Sequence, residues 1–466
     1  MELITNTNYS NDLMETIKLY FPQNFQTVDA KISVEKLPIN DNEFNCDCKI
    51  ECFDRVVTKT RHCKITEYLN EKKLVKISLY ELLANFFNKD MPWGSLTGIR
   101  PTKLAHDLIK SGMTVLQMKN FLIENYHVSK EKTDLVCEII CNQKDYISTN
   151  EKEIDLYINI PFCVSRCSYC SFISALIAPC KHLIEPYIEA LIKELNAVKE
   201  IIKEKSYIVK SIYIGGGTPT SFNENQLEEI LKNIGFKVSE FTVEAGRPDT
   251  ITKEKLELFK KYGVTRICIN PQTFNDKVLE KIGRTHTALD VVNTYKMARN
   301  YPFKINMDFI AGLPSETIKS FKDSMECAVA LQPDSITVHT LCLKRASTFS
   351  NDQIDIFKDS LKVEKMVDYS RKILTESGYT PYYMYRQKNM LSGLENVSYA
   401  RNKSFSKFNI DSMEENTTIL ACGANAISKR VYKSQNRIER QANLKDIKEY
   451  VTRIDEMIDK KNKFFE

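Results

Sequence analysis

The chain has 466 residues, 42% of them hydrophobic, enough to fill the cores of two or three domains and too much for a fibre or a disordered tail. Lysine and arginine (66) nearly balance aspartate and glutamate (61), and the net charge of +5 leaves no polyanion footprint, so no nucleic-acid partner is expected. No run approaches the roughly 20 apolar residues a bilayer needs, and MELITNTNYSNDLMET lacks a basic-then-apolar leader, so a cytoplasmic protein without a membrane span is expected. The 14 cysteines are irregularly spaced and fit a reducing compartment better than a disulfide framework.

Residues 1–150 read as an N-terminal α+β accessory domain. Helical runs at 12–20 and 103–141 bracket a β-rich stretch containing FNCDCKIECF. Four thiols there, Cys46, Cys48, Cys52 and Cys63, invite a metal, but the first three fall on one face of an alternating strand, as small core residues would. Cys137 and Cys141 share a helix face and read the same way. The loop MPWGSLTGIRPTKL carries Trp93, the only tryptophan, and Gly94 and Gly98 permit tight turns there. It can cap a site, receive a substrate or pack between domains.

Residues 151–350 alternate short β-rich runs with amphipathic helical runs. The strands are DLYINI (155–160), VKSIYI (209–214), FTVEA (241–245), TRICIN (265–270), KINMDFI (304–310) and SITVH (335–339). Between the first two, Ile188, Leu191, Leu195, Val198 and Ile202 follow a helical period over 184–204. Six such units with right-handed crossovers predict an α/β fold, a partial (β/α)6 TIM-like barrel with its site at the C-terminal strand ends.

The polar motifs fall at those ends. CVSRCSYC, after the first strand, sets Cys163, Cys167 and Cys170 in a C-x3-C-x2-C spacing. Three thiolates on one loop can hold three irons of a 4Fe–4S cluster and leave the fourth open. A zinc knuckle would need a fourth soft ligand close by, whereas Ser171 follows and the nearest further thiol is Cys180; three buried thiols are the other reading. GGGTPT (215–220) follows the second strand, where glycines let backbone approach a ligand, although such turns are common. Glu244, Gln272 and Asp308 end the next strands and would be costly to bury idle. Arg284, in KIGRTHT, can pair a carboxylate through its fork or lie solvated on the surface. His339, at the end of SITVH, reads as substrate-facing or packed.

Residues 351–466 read as a mostly helical C-terminal extension. A helix over 357–377 ends at Gly378, ACGANAIS places Gly423 where backbone can approach a cofactor, and 441–466 forms a charged helix with Glu456 and Lys460 four apart. Lys344, Arg345, Arg386 and Lys388 can ring a substrate mouth or form a solvated rim.

The cysteine spacing and the glycine motif one βα unit later resemble the radical S-adenosylmethionine (SAM) superfamily. YINIPFC, GGGTPT, PQTFN, MDFIAGLP and GANAIS are similar to the oxygen-independent coproporphyrinogen III oxidase family. MPWGSLTGIRPTKL, VEAGRPDTI and MYRQKNM resemble its HemZ-type branch, coproporphyrinogen dehydrogenases, so the likeness runs from about residue 90 to the C-terminus. The resemblance implies that Cys163, Cys167 and Cys170 hold a 4Fe–4S cluster and that Gly216, Gly217, Thr218, Glu244, Gln272, Arg284 and Asp308 position SAM. It implies that Gly423 approaches the cofactor, that Tyr157 orients sulfonium or substrate as the catalytic residue, and that Arg386 binds substrate. The C-terminal extension would complete the site. The implied reaction is oxygen-independent oxidative decarboxylation of two propionates of coproporphyrinogen III to vinyls, giving protoporphyrinogen IX in haem biosynthesis. Two SAM would be spent per turnover, with electrons from a donor such as flavodoxin or ferredoxin.

Two departures stand out. Phe172 occupies a position where the family's best-studied branch has a further cysteine, and Asn159 replaces the histidine of YIHIPFC. A related haem-chaperone branch carries His-Asn-x-x-Tyr-Trp, which does not occur here. Haem binding and transfer remains the rival reading, with His339 a conceivable axial ligand, and action on another tetrapyrrole is a third.

Overall fold

The computed structural model describes residues 1–21, 28–97, 100–170, 174–342, 356–387 and 393–466, with side chains from 361 onward in the helix that begins at Ile356. Gly98, Ser171, Phe172, Lys344, Arg345 and Lys388 lie outside the described residues. The chain forms two compact units. One comprises Met1–Cys141, Ile354–Glu364 and Tyr385–Glu395; the other comprises Asn142–Gln353, Lys365–Met384 and Asn396–Glu466.

In the first unit, β1 (Glu2–Thr5), β2 (Ala30–Asn40), β3 (Glu43–Cys52) and β4 (Arg55–Lys64) form one sheet in that order, β1 parallel to β2 and the rest antiparallel. The helices are α1 (Ser10–Ile17), α2 (Glu71–Phe87), α3 (Pro101–Lys110), α4 (Val115–Tyr126) and α5 (Lys130–Gln143). Helix α2 falls inside the stretch read as β-rich. It buries Leu74, Val75, Leu79, Leu82, Leu83 and Phe86, and so broad an apolar surface leaves no single stripe for periodicity to reveal. Cys46, Cys48, Cys52 and Cys63 are buried. The sulfurs of Cys46 and Cys48 lie 3.8 Å apart, and that of Cys63 is 3.6 Å from the Ser78 hydroxyl on α2, the packing of small core residues.

The second unit is built on an open sheet. Its elements are β5 (Glu153–Ile160), β6 (Phe162–Cys163), β7 (Ala175–Leu176), α6 (Ile184–Glu204), β8 (Ile208–Gly216), α7 (Glu224–Ile234), β9 (Glu240–Gly246), α8 (Lys253–Lys261), β10 (Arg266–Ile269), α9 (Asp276–Lys281), α10 (Ala288–Ala298), β11 (Lys304–Ala311), α11 (Ile318–Leu331) and β12 (Ser335–Thr340). Then come α12 (Ile356–Glu376) from Lys365 onward, β13 (Thr380–Tyr385) up to Met384, β14 (Asn396–Ala400), α13 (Lys407–Glu414), β15 (Thr418–Cys422), β16 (Ile427–Tyr432), β17 (Arg437–Ala442), α14 (Ile447–Thr452) and α15 (Ile454–Phe465).

Strands β5, β8, β9, β10, β11 and β12 are parallel neighbours in that order, each of the six over its expected run, as a partial (β/α)6 barrel requires. β15 adds a further parallel strand beside β5, while β14, β16 and β17 pair antiparallel at the margins. The C-terminal extension therefore supplies strands as well as helices. α6 buries Tyr187, Ile188, Leu191, Leu195 and Val198 along one face, each contributing about 1.5–3 kcal/mol relative to exposure. Capping boxes start α7 at Asn223 and Gln226 and α10 at Thr287 and Asp290, so these crossovers begin at fixed points after the loops that carry chemistry. Among the described residues no helix is long and apolar enough to cross a membrane.

Candidate cofactor site

The cysteine loop leaves the end of β5 and is pinned from several sides. Gly217 N–H donates to Ile160 O at 2.8 Å and Thr218 N–H to Phe162 O at 2.7 Å, which lays the glycine motif along the start of the loop. Ser168 N–H donates to Ile282 O at 3.1 Å, and Cys170 N–H to Cys167 O at 3.0 Å closes a turn between the second and third cysteines. None of the three thiols is in a disulfide, and all three are partly exposed.

The glycines answer to geometry. A Cβ on Gly217 would stand 2.5 Å from Phe162 O and 2.9 Å from Cys163 Sγ. Gly216 has φ +113°, and a Cβ there would meet the Asn159 side chain. The Thr218 hydroxyl lies 3.6 Å from Cys163 Sγ as a donor. Gly216, Gly217 and Thr218 thus form a cradle against the cysteine loop.

Inside the barrel Tyr213 pairs in register with Tyr157 and donates to Glu244 Oε1 at 2.5 Å. Burial pushes the Glu244 carboxyl up to about 7, against the Tyr213 hydrogen bond and with the help of Asp308's charge. Asp308 is held below its usual range although burial opposes it, because His339 and Asn306 stabilise the anion. Asn306 donates to Asp308 at 2.7 Å, and His339 Nε2 is 3.8 Å away.

Gln272 takes a left-handed backbone at φ +69°. It donates through its N–H to Asp308 O at 2.9 Å and accepts from Ile310 N–H at 3.0 Å, stepping from the end of β10 onto β11. Its side-chain oxygen is buried without a partner, and such strain at a strand end marks a held functional position. Arg284 is buried, donates to the Tyr169 hydroxyl at 2.9 Å, and leaves Nε without a partner. Tyr169 and the Cys167 thiol favour its charge over the cost of burial. Among the described residues no carboxylate pairs with it.

Tyr157 packs its ring 6.2 Å from Tyr213 and 5.9 Å from Phe408, and its hydroxyl donates to Asn159 Oδ1 at 2.9 Å. Burial, then the charge of Glu244, raises its pKa. At Gly423, φ +103°, the place of a Cβ is filled by Asn159 O and, at 2.6 Å, the Tyr187 hydroxyl, so this glycine lets a turn seat on the end of β5. Arg386 belongs to the first unit. There it stacks over Trp93 at 5.2 Å and donates to Leu96 O and Gly393 O. Burial lowers its pKa to about 10 against the pull of Glu395. Its five donors are largely used by backbone, because its neighbours are carbonyls that must be satisfied once buried.

Three residues stand out that motif reading left without a role. Tyr213 was visible only as an alternate position of a strand. Tyr169 sits between two of the cysteines. Arg247, in VEAGRPDTI, is buried, grips Asp249 with both arms at 3.0 and 2.8 Å and bonds Ser165 in the cysteine loop.

The radical SAM superfamily model matches residues 157–328. The oxygen-independent coproporphyrinogen-III oxidase-like protein HemZ of Bacillus subtilis is 39% identical over 385 residues, 80% of this chain and 77% of HemZ. The chain belongs to the radical SAM superfamily, in the HemZ-like family. The haem chaperone HemW of Bacillus subtilis is 38% identical over 202 residues, which span 42% of this chain and about half (52%) of HemW. The solved structure of Escherichia coli coproporphyrinogen III oxidase (HemN), a radical SAM enzyme, superposes with a TM-score of 0.50 at 23% identity, covering 67% of this chain and 72% of HemN, and supports the shared fold.

A 4Fe–4S cluster and SAM are the cofactors of this radical SAM family. The residues fit them. Three thiols outside any disulfide stand on one loop, a glycine cradle abuts one of them, and the Nε of the buried Arg284 and the side-chain oxygen of the buried Gln272 have no hydrogen-bond partner. Among the described residues no three His, Cys, Asp or Glu side chains converge on one ion. A cubane whose thiolates bind different irons asks for no such convergence.

Proposed function

We propose that this HemZ-like protein is an oxygen-independent coproporphyrinogen III oxidase acting in haem biosynthesis in the cytoplasm. The likeness to HemZ over most of both chains carries the reading, since the match to the haem chaperone of Bacillus subtilis spans 42% of this chain against 80% for HemZ. When bound, the cluster and SAM supply a primary carbon radical able to take hydrogen from an unactivated propionate β-carbon. Each propionate that gives up that hydrogen and carbon dioxide, and passes one electron to an external electron acceptor, becomes a vinyl, so two SAM are spent per protoporphyrinogen IX.

Cys163, Cys167 and Cys170 would hold the cluster. Gly216, Gly217 and Thr218 would bring backbone against SAM, Arg284 would pair its carboxylate, and Glu244, Gln272 and Asp308 would receive its polar groups. Tyr157 is the candidate to orient sulfonium or substrate. A donor such as flavodoxin or ferredoxin would supply electrons, residues 1–150 would serve as an accessory domain, residues 151–350 as the catalytic barrel, and residues 351–466 would complete the site.

Anaerobic incubation of the reconstituted protein with coproporphyrinogen III, SAM and a strong reductant tests this through the porphyrins recovered after oxidation. A divinyl product is expected. Unchanged porphyrin beside stoichiometric haem uptake with a Soret band would move the assignment to haem binding, which the HemW relatives support.

A further inference from the structure

Glu194 lies midway along the buried face of α6, fully buried among apolar neighbours. Its carboxylate takes four hydrogen bonds, all at 2.7 Å. Oε1 accepts from Asn443 Nδ2 and Lys461 Nζ, and Oε2 from Gly423 N–H and the Tyr450 hydroxyl. The donors come from the turn after β15, the segment after β17, α14 and α15. Lys461 is itself buried and also donates to Ala421 O. A buried ion pair adds little stability over well-packed apolar side chains of the same volume, and its better-attested use is to impose one arrangement.

What this pair arranges is the turn at Gly423. Asn443 also donates to Gly423 O at 2.9 Å, and Asn425 N–H to Leu444 O at 2.7 Å, so the turn is fixed at both ends. The turn then fixes Asn159. Ala424 O can only accept, so at 2.6 Å it must face Asn159 Nδ2. The amide is thereby forced to present Oδ1 to Tyr157, whose hydroxyl donates to it. The same Oδ1 lies against Gly216.

We propose that Glu194 and Lys461 are positioning residues for the SAM site: they seat the Gly423 turn so that Asn159 locks both the Tyr157 hydroxyl and the glycine motif. The inference rests on the reading of Gly216 and Tyr157 as SAM-facing. Lys461→Met leaves a buried uncompensated carboxylate, so the double variant Glu194→Gln, Lys461→Met is made beside it, together with Asn159→Ala at the far end of the path. Iron and sulfide content, melting temperature, SAM affinity by calorimetry and the SAM-induced change in the EPR signal of the reduced cluster are compared.

Variants that load iron normally and melt cooperatively should bind SAM about tenfold more weakly, the worth of one net hydrogen bond, with a diminished EPR change. If the double variant and Asn159→Ala bind SAM and shift the EPR signal as the unaltered protein does, the positioning role is wrong. If the unaltered protein itself neither binds SAM nor shifts its signal, the cofactor reading beneath the proposal fails with it. Neither readout requires the porphyrin substrate, so failure of the decarboxylase assignment alone leaves the test intact.

Discussion

The guanidinium of Arg284 donates to the hydroxyl of Tyr169 at 2.9 Å, which bonds the segment after α9 to the loop between the second and third cysteines. A buried cation with no carboxylate among the described residues, and with Nε unused, is set up for an anion arriving at the cysteine loop. Arg284→Gln should weaken SAM binding about 10–100-fold, the loss of a charge-assisted pair, with iron content retained. Arg284→Lys should recover part of the affinity, since charge without the planar fork is an incomplete replacement. Unchanged affinity in the glutamine variant, measured calorimetrically, would remove Arg284 from the site.

Glu244 makes stability depend on pH. Its carboxyl titrates at 4.5 in the unfolded chain and at about 7 when folded, because burial first, and Asp308's charge with it, disfavours the anion. Between those values the folded protein holds a proton that the unfolded chain has lost, so this group's contribution falls as pH rises through the window and is flat above it. Glu244→Gln should therefore raise the melting temperature of the cofactor-free protein more at about pH 8 than at about pH 5. An equal change at both would contradict the raised pKa.

Gly217 leaves no room for a methyl group. A Cβ there meets Phe162 O at 2.5 Å and Cys163 Sγ at 2.9 Å, backbone and cluster ligand rather than a movable side-chain end. Gly217→Ala should cost about 1–3 kcal/mol and lower iron loading through displacement of Cys163. Normal loading and an unshifted denaturation midpoint would show the approach to be looser than it stands.

The barrel was legible because its strands are short and β-branched and its first crossover helix carries a clean stripe from Ile188 to Val198. The cysteine loop and the residues at strand ends were legible from type and spacing, since a parallel barrel puts those ends on one side. Helix α2 was hidden by being apolar on most of its surface. Glu194 reads in sequence as an ordinary helix carboxylate, because its partners Gly423, Asn443 and Tyr450 stand 229, 249 and 256 residues away. The place of β15 beside β5 is likewise a long-range pairing that no local pattern announces. Arg386 stands in a family-like string, and its bonds to the carbonyls of Leu96 and Gly393 are likewise contacts that no local pattern announces.

Cys167 is the middle ligand of the proposed cluster, and its neighbours Ser168 and Tyr169 are bonded to Ile282 and Arg284, so the loop has little freedom to recruit another thiol. Cys167→Ala should reduce iron and acid-labile sulfide to residual levels after reconstitution. An intact 4Fe–4S absorption and EPR spectrum in that variant would overturn the ligand assignment.

The most direct test of the decarboxylase account is the ratio of 5'-deoxyadenosine to divinyl porphyrin formed anaerobically from SAM, reductant and coproporphyrinogen III by the reconstituted protein. Two nucleosides per protoporphyrin, one for each propionate, is the predicted result; nucleoside released with no change in the porphyrin would contradict it and assign the radical to a different substrate.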